Sequence, residues 1–545
     1  MSLFLVARLV AGAASAWILW RLVLSLFRKS PLDNVPGPAS QSMWTGNLQA
    51  LFDPKGWDFH QSIAQKYGGI VRIDGPMKSR MLYVFDTLAL HHIIVKDQPL
   101  YSRNHTDLLI SKLMFGEGLL SVGAGDKHRK QRKMLNPVFN NVHLRRLSPV
   151  FYGVAHRLRA GLTGKVTNGP VEVDILHWMN RCALELIGQG GLGYSFDNLA
   201  DNPHEPTHPY SGAVSGIEPL IMNLSLAFRF IFPWASRIGT PRFQRAVVDW
   251  VPWKAVHDFR DILDIMDHTT RQIFIEKKRA LESGGEEFQQ DAGKDIMSIL
   301  MKENARAEDE DRLPDAEVIG QMSTLIFAAT ETTSTSLARI LYLMAQNSDV
   351  QDRLRAELTD AQQKYGTDIP YDQLMQLPFL DAVCRETLRL HPPSPFSLRT
   401  TAVDTVLPLA APLLGRNGEE IHALHVPRGT DLMLSIQSAN CDASVWGPDA
   451  EEWKPARWLV PLPETVTQGP ATGVYQYLFT FGGGPRACIG FKFSQLELKI
   501  VLAVLLPAFR VSLSNKRIVW NLGFIVQPSV DGSNETQLPL VLTLL

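Results

Sequence analysis

FTFGGGPRACIGFKFSQLELKI, residues 479–500, decides how the rest of the chain is read. Three glycines at 482–484 and Pro485 make a tight loop with little side-chain bulk. Arg486, Cys488 and Gly490 follow, then an apolar helical periodicity through Leu505 that Pro507 stops. Cys488 thus lies just before a helix N-terminus, where unpaired backbone N–H groups and the dipole favour an anion and so a thiolate over a thiol. The other three cysteines, Cys182, Cys384 and Cys441, form no CxxC pair, which fits neither a zinc knuckle nor a dense disulfide framework. They read as small buried hydrophobes in a reducing compartment.

The spacing Phe481-Gly482-x-Gly484-x-Arg486-x-Cys488-x-Gly490 resembles the haem-binding loop of the cytochrome P-450 superfamily. The resemblance implies that Cys488 is the axial ligand of haem b iron, that Arg486 pairs a haem propionate and that Phe481 shields the thiolate. Thiolate ligation pushes electron density to the iron and favours O–O cleavage. The plainer alternative is a Gly-rich loop with a structural cysteine.

A second segment, LPDAEVIGQMSTLIFAATETTSTSLARILYLMAQN, spans Leu313–Asn347. Pro314 suits the first helical turn, and Asp315 and Glu317 complement the dipole there. The stretch is apolar nearly all round, which predicts a buried helix. Its centre nevertheless holds Thr330, Glu331, Thr332 and Thr333. A buried carboxylate is costly unless paired or functional, and mid-helix hydroxyls bond back to the i−4 carbonyl and bend the helix. Ala328-Ala329-x-Glu331-Thr332 is similar to the oxygen-binding motif of the same family, with Ala329 where Gly is usual. By that resemblance Thr332 hydrogen-bonds dioxygen and Glu331 relays protons. A core helix with hydroxyls satisfied by backbone is the alternative.

Residues 377–393, LPFLDAVCRETLRLHPP, read as a helix ended by prolines, half-buried, with Glu386 and Arg389 on one face. They resemble the family's Glu-x-x-Arg helix, whose third member would be Arg457 in EWKPARW, although Ala456 stands where Glu is usual. Its implied role is scaffolding behind the Cys loop. In GDKHRKQRKMLNPVF, residues 125–139, His128 and Arg132 share a helix face, and by resemblance both bond haem propionates, with His128 where the family often has Trp. Arg399 is a further propionate candidate. Lys127, Arg129, Lys130 and Lys133 read either as a solvated face or as a docking site for an acidic flavoprotein reductase.

The chain of 545 residues is 45% hydrophobic and 20% charged, with 54 Lys plus Arg against 55 Asp plus Glu. That balance gives no whole-chain field to gather nucleic acid, and no aromatic platform accompanies the basic patch. Residues 3–27 are apolar, carry Arg8 and Arg21 near the ends, and are closed by Arg28 and Lys29. They read as one transmembrane helix with its C-terminal side cytosolic, rather than as a cleaved signal. The sequons at Asn104, Asn223 and Asn534 would then be bare. The organisation expected is an anchor over 1–29, a proline-rich hinge over 30–40 and a haem-thiolate catalytic domain over 41–545. Within that domain, 57–67 has helical spacing, and 69–74 with 81–86 reads as a hairpin about Gly75-Pro76. Residues 126–390 are mostly helical in pattern, while strand character returns near 400–440 and 509–545. The polar runs 282–294 and 303–312 read as exposed loops.

The fold expected is mainly α with a small β region, the cytochrome P-450 fold. Residues 218–253 are aromatic and apolar; core packing is the default, and the resemblance makes them the roof of a substrate pocket that touches the membrane. Its other walls would come from 104–121, 324–328, 394–398 and 523–526. The function implied is a monooxygenase of the endoplasmic reticulum membrane, acting on a lipophilic secondary-metabolite- or terpenoid-like molecule. Its NADPH electrons would arrive through a partner reductase, because the chain carries no nucleotide motif of its own. A haem-thiolate isomerase or dehydratase that uses no dioxygen, and a haem sensor, are the rival readings.

Overall fold

The structure, a computed structural model, describes residues 30–200, 208–283, 295–470 and 473–545. The proposed anchor, 1–29, and all but the first two residues of the 282–294 loop lie outside the described residues. Among the described residues no helix is long and apolar enough to cross a membrane. The fold is mainly helical with small sheets.

Contacts divide the chain into two units. The first takes the described residues up to Ser102 and adds Ser397–Ala439. Helix α1, Trp57–Tyr67, leads into the strand Ile70–Asp74, which pairs antiparallel with Arg80–Val84, Ile70 opposite Val84. This is the hairpin that the Gly75-Pro76 turn announces. Arg80–Val84 also pairs parallel with Asp431–Ser435, Met81 opposite Asp431. The sheet closes in the order 70–74, 80–84, 431–435, 396–401, 101–103. Val71, Leu82, Val84, Leu432 and Leu434 are buried in it. A second hairpin joins Thr405–Leu414 to Glu420–Val426, with a register shift between Pro408 and Leu413.

The second unit, Arg103–Phe396 with Asn440–Leu545, holds the long helices. In chain order they are α2 (His105–Phe115), α3 (Asp126–Leu135), α4 (Asn141–Val166), α5 (Ile175–Ile187), α6 (Pro209–Asn223), α7 (Pro241–Trp250) and α8 (Lys254–Glu282). After them come α9 (Asp315–Gln346), α10 (Ser348–Tyr365), α11 (Pro378–Leu390) and α12 (Phe491–Leu505). Starts follow local chemistry: the side chains of Asn104, Asn140 and Asp174 accept backbone N–H bonds at the first turns of α2, α4 and α5. The central helix α9 packs against α5, and α12 against α4. Val171–Asp174, Pro539–Leu544 and Phe509–Leu513 form an antiparallel sheet, and Ile518–Asn521 pairs with Gln527–Val530.

Two boundaries differ from the expectations. Pro314 is the extended residue capping α9 rather than part of its first turn. The polar run 303–312 is not all loop, because a helix, Ile296–Arg306, continues into it. Asp295 caps that helix through Ser298 N–H at 2.9 Å. Asn304 holds the exit, donating to Leu313 O at 2.9 Å and accepting from Leu313 N at 2.6 Å. Paired amide bonds outweigh the polar composition.

Candidate active site

The Cys loop is built by backbone chemistry. Gly482 and Gly484 sit at φ +64° and +60°, a region that side chains with a Cβ rarely occupy. These turns let Gly482 N–H reach Phe479 O at 2.8 Å and Cys488 N–H reach Phe481 O at 2.8 Å. Gly490 caps α12, so Cys488 stands two residues before that cap, as expected. Phe481 is half-buried, its ring 5.3 Å from Tyr475 and 6.1 Å from Phe491.

The Cys488 thiol is exposed, while Cys182 and Cys384 are fully buried. Burial nevertheless raises the Cys488 pKa, and the Gly490 N–H and Arg132 oppose it only in part. At this sulfur desolvation opposes the helix terminus. The cost of desolvating an anion exceeds one N–H and one cation. A cation bound at the sulfur would reverse that balance.

Among the described residues the charged groups acting on Cys488, Arg486 and His128 are arginines. The Arg132 guanidinium, on α3, donates to Ala487 O, and Arg486 donates to Val122 O at 2.7 Å. Burial first, then Arg103 and Arg132, brings Arg486 down to about 10. Burial first, then Arg486 and Arg132, brings His128 down to about 4. Arg103 has its carboxylate, Asp107, whereas neither Arg132 nor Arg486 has one among the described residues. Half-buried cations without a carboxylate call for an anionic partner. An exposed thiol ringed by them fits a haem, with iron at the sulfur and propionates at the guanidinium groups. Among the described residues no cluster of His, Cys, Asp or Glu offers a rival metal site.

The centre of α9 behaves as its composition suggests. Thr330 Oγ1 donates to Ile326 O at 2.7 Å and Thr332 Oγ1 to Ala328 O at 2.6 Å. The helix stays continuous through them. Phe327, Ala328, Ala329 and Thr332 are half-buried within the stretch 320–341, whose other residues are buried. Glu331 is buried, and burial first, then Glu218, pushes it up to about 8.

Glu386 and Arg389 are fully buried rather than half-buried, at 0% side-chain exposure each. Arg389 Nε and Nη2 each lie 2.9 Å from Glu386 oxygens. Arg457 Nε reaches Glu386 at 3.3 Å and its Nη1 reaches Asp449 at 2.7 Å. Thr480, in the Cys loop, donates to Leu388 O at 2.8 Å, so this network stands directly behind the loop. Arg399 belongs to the first unit, where its guanidinium donates to Ser397 Oγ and Leu398 O, both at 2.8 Å. On α3 the surface cations find carboxylates: Lys127 with Glu117 and Lys133 with Asp311, both at 2.6 Å.

Sequence reading missed Glu218, Gln527, Glu497 and Asp449. Glu218 had a signal, an acid opening an apolar run; Gln527 and Glu497 depend on neighbours distant in sequence, while Asp449 meets Arg457 eight residues on. Glu497, buried on α12, accepts from Thr333 at 3.1 Å.

The model of the family described as Cytochrome P-450 matches residues 36–529. The chain is similar to cytochrome P-450 monooxygenase 91 of Postia placenta, 47% identical over 98% of each chain. It is similar also to a ganoderic acid synthetase of Ganoderma lucidum, 41% identical over 96% of each chain. A cytochrome P-450 monooxygenase of Hericium erinaceus is 35% identical over 98% of each.

Proposed function

The chain belongs to the cytochrome P-450 family of monooxygenases, and we propose that it inserts one atom of dioxygen into a lipophilic secondary-metabolite- or terpenoid-like molecule, drawing NADPH electrons through a flavoprotein reductase. The family implies a haem-thiolate iron, and the group supplies the activation of dioxygen when bound. The observation that carries the reading is the exposed Cys488 thiol beside Arg132 and Arg486, two half-buried cations without carboxylates among the described residues.

In this reading Cys488 ligates iron. His128, Arg132 and Arg486 bind propionates, while Phe481 shields the sulfur. Thr332 offers its hydroxyl to dioxygen, and Glu331 holds the proton to be delivered. The triad Glu386, Arg389 and Arg457 keeps the loop in place. The strip Phe327–Ala329 forms an apolar wall for substrate. The designation of one relative as a ganoderic acid synthetase supports a fungal secondary metabolite as substrate.

Residues 41–545 act as one catalytic domain, 30–40 as a hinge and 1–29 as an anchor in the endoplasmic reticulum membrane, with the catalytic domain cytosolic. Support for membrane contact comes from exposed apolar side chains in one stretch: Ile231, Trp234, Ile238 and, at 85%, Trp250.

The reduced, CO-bound difference spectrum of wild type beside Cys488→Ser tests the ligand. A red-shifted Soret band lost in the variant is expected; no haem signal in folded wild type refutes the reading. Product formed without NADPH would favour an isomerase or dehydratase. CO binding with no turnover across a terpenoid panel would favour a sensor.

A further inference from the structure

Two side chains that the reading above leaves unused, Gln527 and Glu218, meet beside Glu331. Gln527 Nε2 donates to Glu331 Oε2 at 2.7 Å. Glu331 Oε1 and Gln527 Oε1 are buried and have no hydrogen-bond partner. Glu218, on α6 and 7% exposed, accepts from Phe524 N–H at 2.6 Å and Ile525 N–H at 3.4 Å. These amides lie in the turn that leads to Gln527. A Cβ at Gly523 would stand 2.7 Å from Glu218 Oε1, so the backbone closes tightly on the carboxyl. One turn therefore fixes both Glu218 and the amide that holds Glu331.

We propose that Glu218 is a positioning residue of the proton supply: its carboxyl, set by the 523–525 turn, makes Glu331 keep a proton, while Gln527 occupies Oε2 and leaves that proton to Oε1. The inference rests on the proton-relay role proposed for Glu331. It adds a second acid from the roof helix that favours the protonated form of the first.

The physical basis is repulsion at low dielectric. Burial raises both acids, Glu218 to about 7 and Glu331 to about 8, and Glu218 acts on Glu331 as a like charge. Two carboxyls coupled in this way titrate as a pair. Other ionisable groups on or against α9 are engaged elsewhere. Glu497 accepts from Thr333, Arg339 lies over the Trp520 ring, and Glu185 binds the 195–197 turn. Among the described residues Glu218 is the one charged group acting on Glu331. A proton given up at Oε1 leaves a carboxylate that the Gln527 N–H steadies until solvent returns a proton.

Infrared titration of the full-length holoprotein tests this without a known substrate, through the carbonyl stretch of protonated carboxyl. Glu331→Gln identifies the Glu331 band by removing it. Glu218→Gln keeps an acceptor for Phe524 and removes the charge, so the Glu331 midpoint should fall by roughly one pH unit. Gln527→Leu removes the donor that favours the carboxylate, so the midpoint should rise. Glu218→Asp keeps the charge and should hold the midpoint near wild type. A midpoint unmoved in both Glu218→Gln and Gln527→Leu overturns the inference, and either variant alone suffices if the other does not fold. The underlying relay is read separately, as the share of NADPH electrons released as hydrogen peroxide in the presence of reductase. An unchanged share in Glu331→Gln refutes the relay whatever the infrared result. A raised share there, with an unmoved midpoint in Glu218→Gln, refutes the role of Glu218 alone.

Discussion

Glu386 and Glu331 are both buried carboxyls on helices of the second unit, yet their surroundings are opposite. Glu386 receives two bonds from Arg389, one each from the Lys454 N–H and Arg457, and one from Trp458 Nε1 at 2.9 Å. Glu331 receives one, from Gln527, and keeps one oxygen without a partner. A carboxylate saturated by cations and amides is held rigid, which suits a scaffold. A carboxyl left short of donors, beside another acid, keeps a proton that it can lose. The degree of hydrogen-bond satisfaction, rather than burial, separates structure from chemistry here.

The largest effect should follow from breaking the satisfied site. Glu386→Ala leaves Arg389 and Arg457 without their shared partner in the interior and should cost about 3–5 kcal/mol. Denaturant unfolding and haem retention would measure it; a loss below 1 kcal/mol would place the network outside the core scaffold. The unsatisfied site should respond in the reverse sense. Glu331→Gln should leave stability within about 1 kcal/mol and lower turnover on the order of a hundredfold, the range of a lost general acid. Steady-state kinetics with reductase and any accepted substrate decide this. Thr332→Ala should keep haem and the fold, since its hydroxyl donates only to Ala328 O, while the peroxide share of NADPH electrons rises. Equal coupling in the variant and wild type would remove Thr332 from the chemistry.

A smaller and more diffuse effect concerns pH. Glu331 and Glu218 have folded pKa values raised above the ordinary 4.5, so both prefer the proton in the folded state. Their contribution is present in full below the unfolded value and is lost as pH rises through about 7 and about 8. Thermal stability should therefore decline over that window, and the decline should be shallower in Glu331→Gln. The smallest effect is expected at the surface: Arg245 meets Asp264 at 2.6 Å with both half exposed, and Arg245→Ala should change stability by about 1 kcal/mol or less.

Much of this site could be read in advance because its determinants are local. The glycines at 482 and 484, Cys488 before α12, and the i,i+3 pair Glu386–Arg389 all depend on neighbours a few residues away. The back-bonded hydroxyls of α9 follow from helix geometry alone. Where reading failed, distant partners had intervened. Asn304 and Leu313 extended a helix into a run whose composition suggested loop.

By itself, then, the sequence determined which backbone segments turn, cap and run helical, and where Cys488, Glu331 and Thr332 fall along them. Short-range sterics and hydrogen bonding suffice for that. The tertiary structure alone decided the protonation of those groups. Gln527 lies 196 residues beyond Glu331, and Glu218 comes from another helix. Only packing can exclude water from an acid and set a second acid against it.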